Sequence, residues 1–299
     1  MIVLNGQNIK ISGRFLKIAR LDAEKYLFLD DPEPIIEGLR KIKSRVDLFT
    51  FIQRVSETQP KYSYPMEWDN FAAVQLTTFD EWWLKQIGFK ARNKAKQAAK
   101  KGVVVKEVPF DRVLVKGIWE IYNECPIRQG RPFSHYGKSF EQVYGDEATF
   151  LDSSVFVGAY FDRRLIGFVK LVFDTTLTQA GLMNIVAMIG HRDKAVTNAL
   201  VAQAVRSCTE RHIPYLVYSN FAYGKKERSS IADFKERNAF QRIDMPRYHV
   251  PLTALGRVAI RFGLHHKLVD HLPASVAKRL REFRSAWYNR KFHSGIEAS

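Results

Sequence analysis

The spacing of apolar and polar positions changes several times along this chain, and each change marks an element. Apolar and polar residues alternate from Met1 to Lys17, and residues 1–77 read as short strands with one helix, Pro34–Ser44. A helical period then takes over. Thr78 with Glu81 three positions on makes a capping box. Trp82, Trp83, Ile87, Ala91, Ala95 and Ala98 fall on one face, and Gly102 stops the run. These signals predict a helix with both ends marked.

Beyond Gly102, Val103–Val108 reads as a strand, Asp111–Cys125 as an amphipathic helix, Pro126–Pro132 as a polar loop and Tyr136–Tyr144 as a helix. Three strands follow, Ser154–Phe161, Leu165–Phe173 and Gly181–Ile189, with a hairpin turn at Asp162–Arg164. Asp193–His212 reads as a long helix, apolar at Val196, Leu200, Ala204 and Val205. Strand Pro214–Ser219, helix Ser229–Asn238 and strand Gln241–Pro251 complete the pattern. A meander feeding helix–strand–helix–strand predicts an α/β (α+β layered) domain, a mixed sheet covered by helices. The expected division is a smaller N-terminal subdomain, 1–77, a main domain, 78–251, and a basic amphipathic helical tail, 252–299.

With 299 residues, 46% hydrophobic and 13% aromatic, the chain has enough apolar side chains to bury a core, which excludes general disorder. Its 2 cysteines, Cys125 and Cys208, cannot build a disulfide framework and read as buried small hydrophobes in a reducing compartment. The N-terminus lacks a secretory apolar core, and runs such as Leu165–Phe173 are too short to span a bilayer. The expectation is a cytoplasmic protein.

Charge changes the picture most. Lys+Arg 47 against Asp+Glu 31 gives a net +16, which implies an anionic partner: nucleic acid, acidic membrane or phosphorylated substrate. The excess is concentrated in two places. Asp80–Lys101 holds seven Lys/Arg and two acids, and Thr253–His293 holds nine and two. The tail, residues 255–292, mixes basic and apolar residues. It suits packing on its own domain, attachment to the inner membrane face, or RNA.

The element order over residues 103–251 resembles the GNAT acyltransferase superfamily, and three local stretches point to its Fem-type, peptidoglycan aminoacyltransferase-like branch. Arg92 followed by KAKQAAKKGVVV (Lys94–Val105) is similar to the basic segment that opens the catalytic half of that branch. SIADFKERNAF (Ser230–Phe240) is similar to the helix that carries its Phe-Lys pair, here Phe234–Lys235. RQGRPF (Arg128–Phe133) is like its polar loop. Two departures stand out. Acetyl-CoA-using GNAT enzymes cradle pyrophosphate with a glycine-containing loop at a helix N-terminus. The corresponding stretch here, Arg192-Asp193-Lys194-Ala195-Val196-Thr197, has no glycine. The long helical arm of many Fem enzymes is also absent from residues 103–251.

The resemblance implies N-acyl or aminoacyl transfer to an amine of a cell-envelope or glycan precursor, the acceptor being lipid- or nucleotide-linked. Acyl-CoA or aminoacyl-tRNA would serve as co-substrate, with no tightly bound cofactor. It places Lys235 at the acyl-transfer centre, where an ammonium would stabilise the oxyanion; without it, Lys235 reads equally as a solvated helix lysine. Tyr223 is a candidate general acid. Asn220 is a candidate substrate ligand, though turn chemistry explains it as well. Phe234 is core or a stacking surface. Arg128 and Arg131, with Arg92 and Lys96 one helical turn apart, could grip phosphate or carboxylate. Arg192 and Lys194 are the candidates for holding a cofactor phosphate. His265, His266 and His271 have no partners at metal-ligand spacing, so no metal is expected. Acyl-CoA-dependent transfer and non-catalytic RNA or membrane binding on the same scaffold remain alternatives.

Overall fold

Period-two stretches become strands and the capped runs become helices throughout the computed structural model, which describes residues 1–128, 130–222 and 229–266. The chain opens with β1 (Ile2–Leu4), β2 (Gln7–Ser12), β3 (Ile18–Leu21), α1 (Glu33–Lys41), β4 (Leu48–Ile52) and β5 (Met66–Gln75). Then come α2 (Phe79–Glu81), α3 (Phe89–Lys100), β6 (Val104–Val108), α4 (Arg112–Asn123), β7 (Ile127–Arg128), β8 (Arg131–Pro132) and α5 (Phe140–Glu147). The remainder is β9 (Ser154–Phe161), β10 (Arg164–Phe173), β11 (Gln179–Ala187), α6 (Val196–Glu210), β12 (Tyr215–Asn220), α7 (Ser230–Arg237), β13 (Gln241–Pro251) and α8 (Ala254–Arg261). Tyr223 and the tail beyond His266, including His271, lie outside the described residues.

The chain divides into two compact units. One gathers Met1–Thr77, Phe173–Gly181 and the stretch from His212 onward; the other gathers Thr78–Val172 and Leu182–Arg211. Residues 173–181 and 212–251, grouped by their sequence pattern with 78–172, therefore belong with the N-terminal strands. The reason is pairing: β13 runs antiparallel to both β4 and β5, so it completes the N-terminal sheet.

In the first unit the strand order is β1-β2-β3-β4-β13-β5-β12, ending on the start of β11. The β3–β4 and β11–β12 pairs are parallel and the others antiparallel. Asn5 and Gly6, both with positive φ, make the two-residue turn that lets β1 fold back on β2. Ile35, Ile36 and Leu39 of α1 pack into a core of Ile9, Leu21, Phe49, Phe51, Tyr248 and Val250. At the far end Gly256 of α8 presses on the sheet; a Cβ there would stand 2.0 Å from Asp47 O.

In the second unit the end of β11 is followed by β10, β9 and β6. The β9 strand is antiparallel to both β10 and β6. Helices α3 and α6 pack together, burying Ala91, Ala95 and Ala98 with Leu200, Val201 and Ala204. The helix expected from Thr78 onward is interrupted. Trp82–Gln86 form a π-helical turn, and Ile87 and Gly88 are extended, with ψ of 133° and 140°. Fully buried Trp82 fixes the turn, and the Arg92 guanidinium caps it by donating to Trp83 O (3.1 Å) and Leu84 O (3.3 Å). The helix read from Tyr136 starts later, at Phe140, because Ser139 and Gln142 form the capping box. The polar loop at 126–132 holds the small β7–β8 hairpin.

The β10–β11 turn in the first unit is locked by a buried ion pair. Asp174 accepts from Arg54 Nε (3.1 Å), the backbone N–H of Thr178 (2.7 Å) and Gln179 (3.0 Å), and the hydroxyl of Thr178 (2.9 Å). Burial alone would raise the Asp174 carboxyl, but bonds from Thr176, Gln179, Thr178 and Arg54 outweigh it and hold the group below its ordinary 3.8. Asp174→Ala leaves the buried Arg54 with Asp30 as its remaining carboxylate partner and the turn without its acceptor, and should cost about 3 kcal/mol in urea denaturation at pH 7. A carboxyl depressed in the folded state stabilises fully above its unfolded value and less as pH falls through the folded one. The gap between wild type and variant should therefore narrow in acid.

Candidate functional site around Lys25, Asn220 and Lys235

The site is built on an irregularity in β12. This strand pairs parallel with β11 over Gln179↔Tyr215, Ala180↔Leu216 and Gly181↔Val217, the C-terminal end of a parallel pair being where open α/β sheets place ligands. On its other edge it pairs with β5, and that register shifts between Val217 and Asn220. Ser219 sits at φ 50°, a left-handed conformation that costs a non-glycine residue about 1 kcal/mol or more. The bulge redirects both Ser219 and Asn220.

Two ammonium groups converge on that segment. Lys25, in the turn after β3, donates to Ser219 Oγ (2.6 Å) and Asn220 Oδ1 (2.9 Å). Its neighbour Tyr26 lies against β11 because residue 181 is glycine; a Cβ there would meet the Tyr26 ring at 2.5 Å. Lys235 comes from α7, which Ser229 caps through Ala232 N (3.1 Å) and which turns Ala232 and Lys235 inward. Lys235 is fully buried; its Nζ donates to Asn220 O and stands 4.6 Å from the Tyr218 ring centroid.

Carboxylates and a guanidinium hold this pair. Asp69 Oδ1 accepts from Asn220 Nδ2 (2.8 Å), while Asp69 Oδ2 accepts from Arg247 Nε (3.0 Å) and Nη2 (2.9 Å). Arg247 also donates to Glu24 Oε2 (2.9 Å) and Thr50 Oγ1 (3.3 Å). Burial works against the Arg247 charge, but Glu24 and Asp69 outweigh it. Burial lowers Lys25 despite Asp69 and Glu24. Burial, then the charge of Lys25, pushes Lys235 down to about 8. Among the described residues, the cations Lys25, Lys235 and Arg247, with Arg20 beside Glu24 (3.9 Å), outnumber the anions Glu24 and Asp69. Donors fixed in a partly desolvated place can stabilise a developing oxyanion without reorganising.

Of the residues singled out in the sequence, Lys235 and Asn220 come together here. Phe234, next to Lys235, is half-buried, and its carbonyl accepts from Asn238 Nδ2 (2.8 Å). The other candidates lie in the second unit. Arg128 is tied inward, donating to Ala187 O (2.7 Å), Ile121 O (2.8 Å) and Glu124 (3.1 Å). Arg131 and Lys96 are exposed, and Arg92 caps the π turn. Arg192 is exposed, whereas Lys194 lies over the Phe161 ring at 4.6 Å. Ala195, at φ 53°, takes the left-handed conformation suited to glycine at the start of α6. Cys208 is fully buried and pushed up to about 12 by burial, so it is an inert core group; Cys125 is half-buried, its Sγ 3.1 Å from Ile127 O.

Lys25, Glu24, Asp69 and Arg247 escaped the sequence reading. No local motif marks them, since they come from a turn and two distant strands. The one available signal was the charge placed inside strands, Asp69 in β5 and Arg247 in β13.

A lysine moved from 10.5 to about 8 by burial carries a cost of about 3 kcal/mol in its charged form. Lys235→Met should therefore leave denaturant stability at pH 7 unchanged or raised by up to about 3 kcal/mol. Loss of more than about 2 kcal/mol would mean that the lysine serves the fold.

No family model matches the chain, and no curated protein matches it. Solved structures do. A C-terminal domain (DUF2156) from Agrobacterium fabrum, assigned to lysylphosphatidylglycerol synthetase, aligns at 16% identity over 86% of this chain and 84% of that one, with a TM-score of 0.54. L-PGS from Bacillus licheniformis aligns at 12% identity over 85% of each chain, TM-score 0.54. FemX aligns at 9% identity over 80% of this chain and 83% of that one, TM-score 0.53. With its mixed central sheet covered by helices, the chain shares the fold of these three structures.

Proposed function

We propose that this protein is an acyltransferase that moves an aminoacyl group from aminoacyl-tRNA to a nucleophile on a cell-envelope component. The observation that carries this reading is the convergence of Lys25 and Lys235 on Asn220 at the bulged end of β12. The likeness to FemX and to two structures tied to lysylphosphatidylglycerol synthetase or L-PGS supports the class and a lipid or peptidoglycan-type acceptor.

The chemistry follows from the charges. An amine or hydroxyl of the acceptor attacks the ester carbonyl of the donor, and the carbonyl oxygen becomes an oxyanion. The C–O bond to the ribose then breaks, the acceptor loses a proton and the ribose oxygen gains one. Lys25 has three N–H groups, two of them spent on Ser219 and Asn220, and is assigned to the oxyanion. Lys235 is assigned a positioning role, holding the Asn220 peptide and adding positive charge beneath it. Tyr223 is assigned proton delivery. The +16 charge, with the exposed Lys90, Lys94, Lys96 and Lys100 of α3, suits a nucleic-acid partner.

A second reading, an acyl-CoA donor, rests on Ala195: its positive φ keeps the backbone bend of a phosphate loop without the glycine.

Transfer of labelled amino acid from aminoacyl-tRNA to phosphatidylglycerol vesicles, or to an amine-bearing peptidoglycan precursor, tests the proposal. Wild type should transfer, and Lys25→Ala should lower the rate about 100-fold with the fold intact. Because the ammonium form of Lys235 is the active one, the rate should fall above about pH 8, and Lys235→Arg should move that fall upward. Tight calorimetric binding of CoA without tRNA-dependent transfer would favour the second reading. Salt-sensitive RNA or vesicle binding with no turnover of either donor would make the protein a binder.

A further inference from the structure

Besides the lysine cluster, the first unit gathers three histidines and a carboxylate from three separate places. Glu67 lies in β5 and His249 in β13, on the same sheet face, since Glu67 pairs with Arg247 and His249 is two residues further along β13. His265 and His266 follow α8. After the helix the chain reverses at Gly263 (φ 66°), where Leu264 N donates to Ala259 O (2.8 Å) and His266 N to Gly263 O (3.2 Å). That turn brings both imidazoles back over the sheet.

The donor atoms face one another. His265 Nε2 is 3.0 Å and His266 Nε2 3.1 Å from Glu67 Oε1, and His249 Nε2 is 3.7 Å from Glu67 Oε2. The Glu67, His265 and His266 donors all lie within 4.8 Å of one another. Four ligands on a tetrahedral zinc ion at its usual bond lengths are roughly 3.3 Å apart. Glu67, His265 and His266 are thus placed to share one ion, with His249 Nε2 beside the second Glu67 oxygen as a fourth ligand.

A second observation points to a ligand. His249 is 7% exposed, and its Nε2 is buried with no hydrogen-bond partner among the described residues. A buried polar atom left so is costly, and a metal ion at this position would satisfy it. His265 Nδ1 faces Ala259 O at 3.4 Å, an arrangement in which the Nδ1 proton points to the carbonyl and the Nε2 lone pair to the cluster. The nearby Arg247 does not repel an incoming cation in full, because Glu24 and Asp69 already pair it. The histidines at the floor are enclosed, while the side chains of Glu67 and His266 are 43% and 37% exposed, giving an ion an entry path.

We propose that Glu67, His249, His265 and His266 form a binding site for one divalent transition-metal ion of the zinc class, which clamps the chain after α8 onto β5 and β13. The mix of imidazole nitrogen and carboxylate oxygen selects zinc-like ions over calcium or magnesium. The site needs no redox partner and is independent of the acyltransfer reading.

The test uses the full chain without an affinity tag. After dialysis against micromolar Zn2+, elemental analysis should find one zinc per chain, and Co2+ should give the strong visible bands of tetrahedral coordination. His265→Ala and Glu67→Gln should each weaken zinc, measured by chelator competition, beyond the roughly 10–100-fold that loss of an outer partner costs. Exposed Glu67 makes the second variant safe for folding, to be checked by thermal melting without metal. His212→Asn, an exposed control, should bind as wild type does. No bound zinc, or zinc that survives both cluster variants, would overturn the proposal.

Discussion

A carboxylate with hydrogen bonds in three directions organises the first unit. Asp69 takes the Arg247 guanidinium on one oxygen and the Asn220 amide on the other, so β13, β5 and the end of β12 are fixed by one side chain. Arg247 extends the tie to Glu24, next to Lys25 in sequence, and Lys25 closes the circuit on Ser219 and Asn220. Asp69 and Glu24 favour the charge of Lys25, while that of Lys235 is opposed by burial and by Lys25.

The arrangement trades stability for chemistry. A left-handed Ser219 and a fully buried Lys235 each oppose folding, and each would be replaced by a glycine or apolar residue if stability alone counted. The apolar layers offset them: β4 is buried along its whole length, and its Phe51 stacks on its own Phe49 and on Tyr248 of β13. The same face of β5 and β13 that carries Asp69 and Arg247 also carries Glu67 and His249. Any ligand gripping the latter pair would stiffen the strands that hold the former.

Local signals in the sequence served where structure is local. The strands Ser154–Phe161 and Gln241–Pro251 have the boundaries their alternation predicts, and Asp111 and Ser229 cap the helices placed after them. The break at Ile87–Gly88 was hidden, because Trp82 and Ile87 keep a helical spacing while the backbone between them widens to a π turn. The membership of β13 was hidden for a different reason: strand pairing across some 180 residues leaves no local trace. Lys235 stood out only through its resemblance to a family segment. Lys25, Asp69 and the histidine–glutamate cluster acquire meaning solely from distant residues brought together, so no window of sequence displays them.

The central claim is that Lys235 is a buried, charge-crowded ammonium rather than a solvated surface lysine. Lysines labelled at the ε carbon and followed by NMR through a pH titration report this directly. A resonance should titrate near 8, well below the ordinary 10.5, and vanish in Lys235→Met, while that of buried Lys170, also pushed down to about 8, should persist in the variant. If the signal assigned to Lys235 titrated with the exposed lysines, above 10, the cluster as described would be wrong.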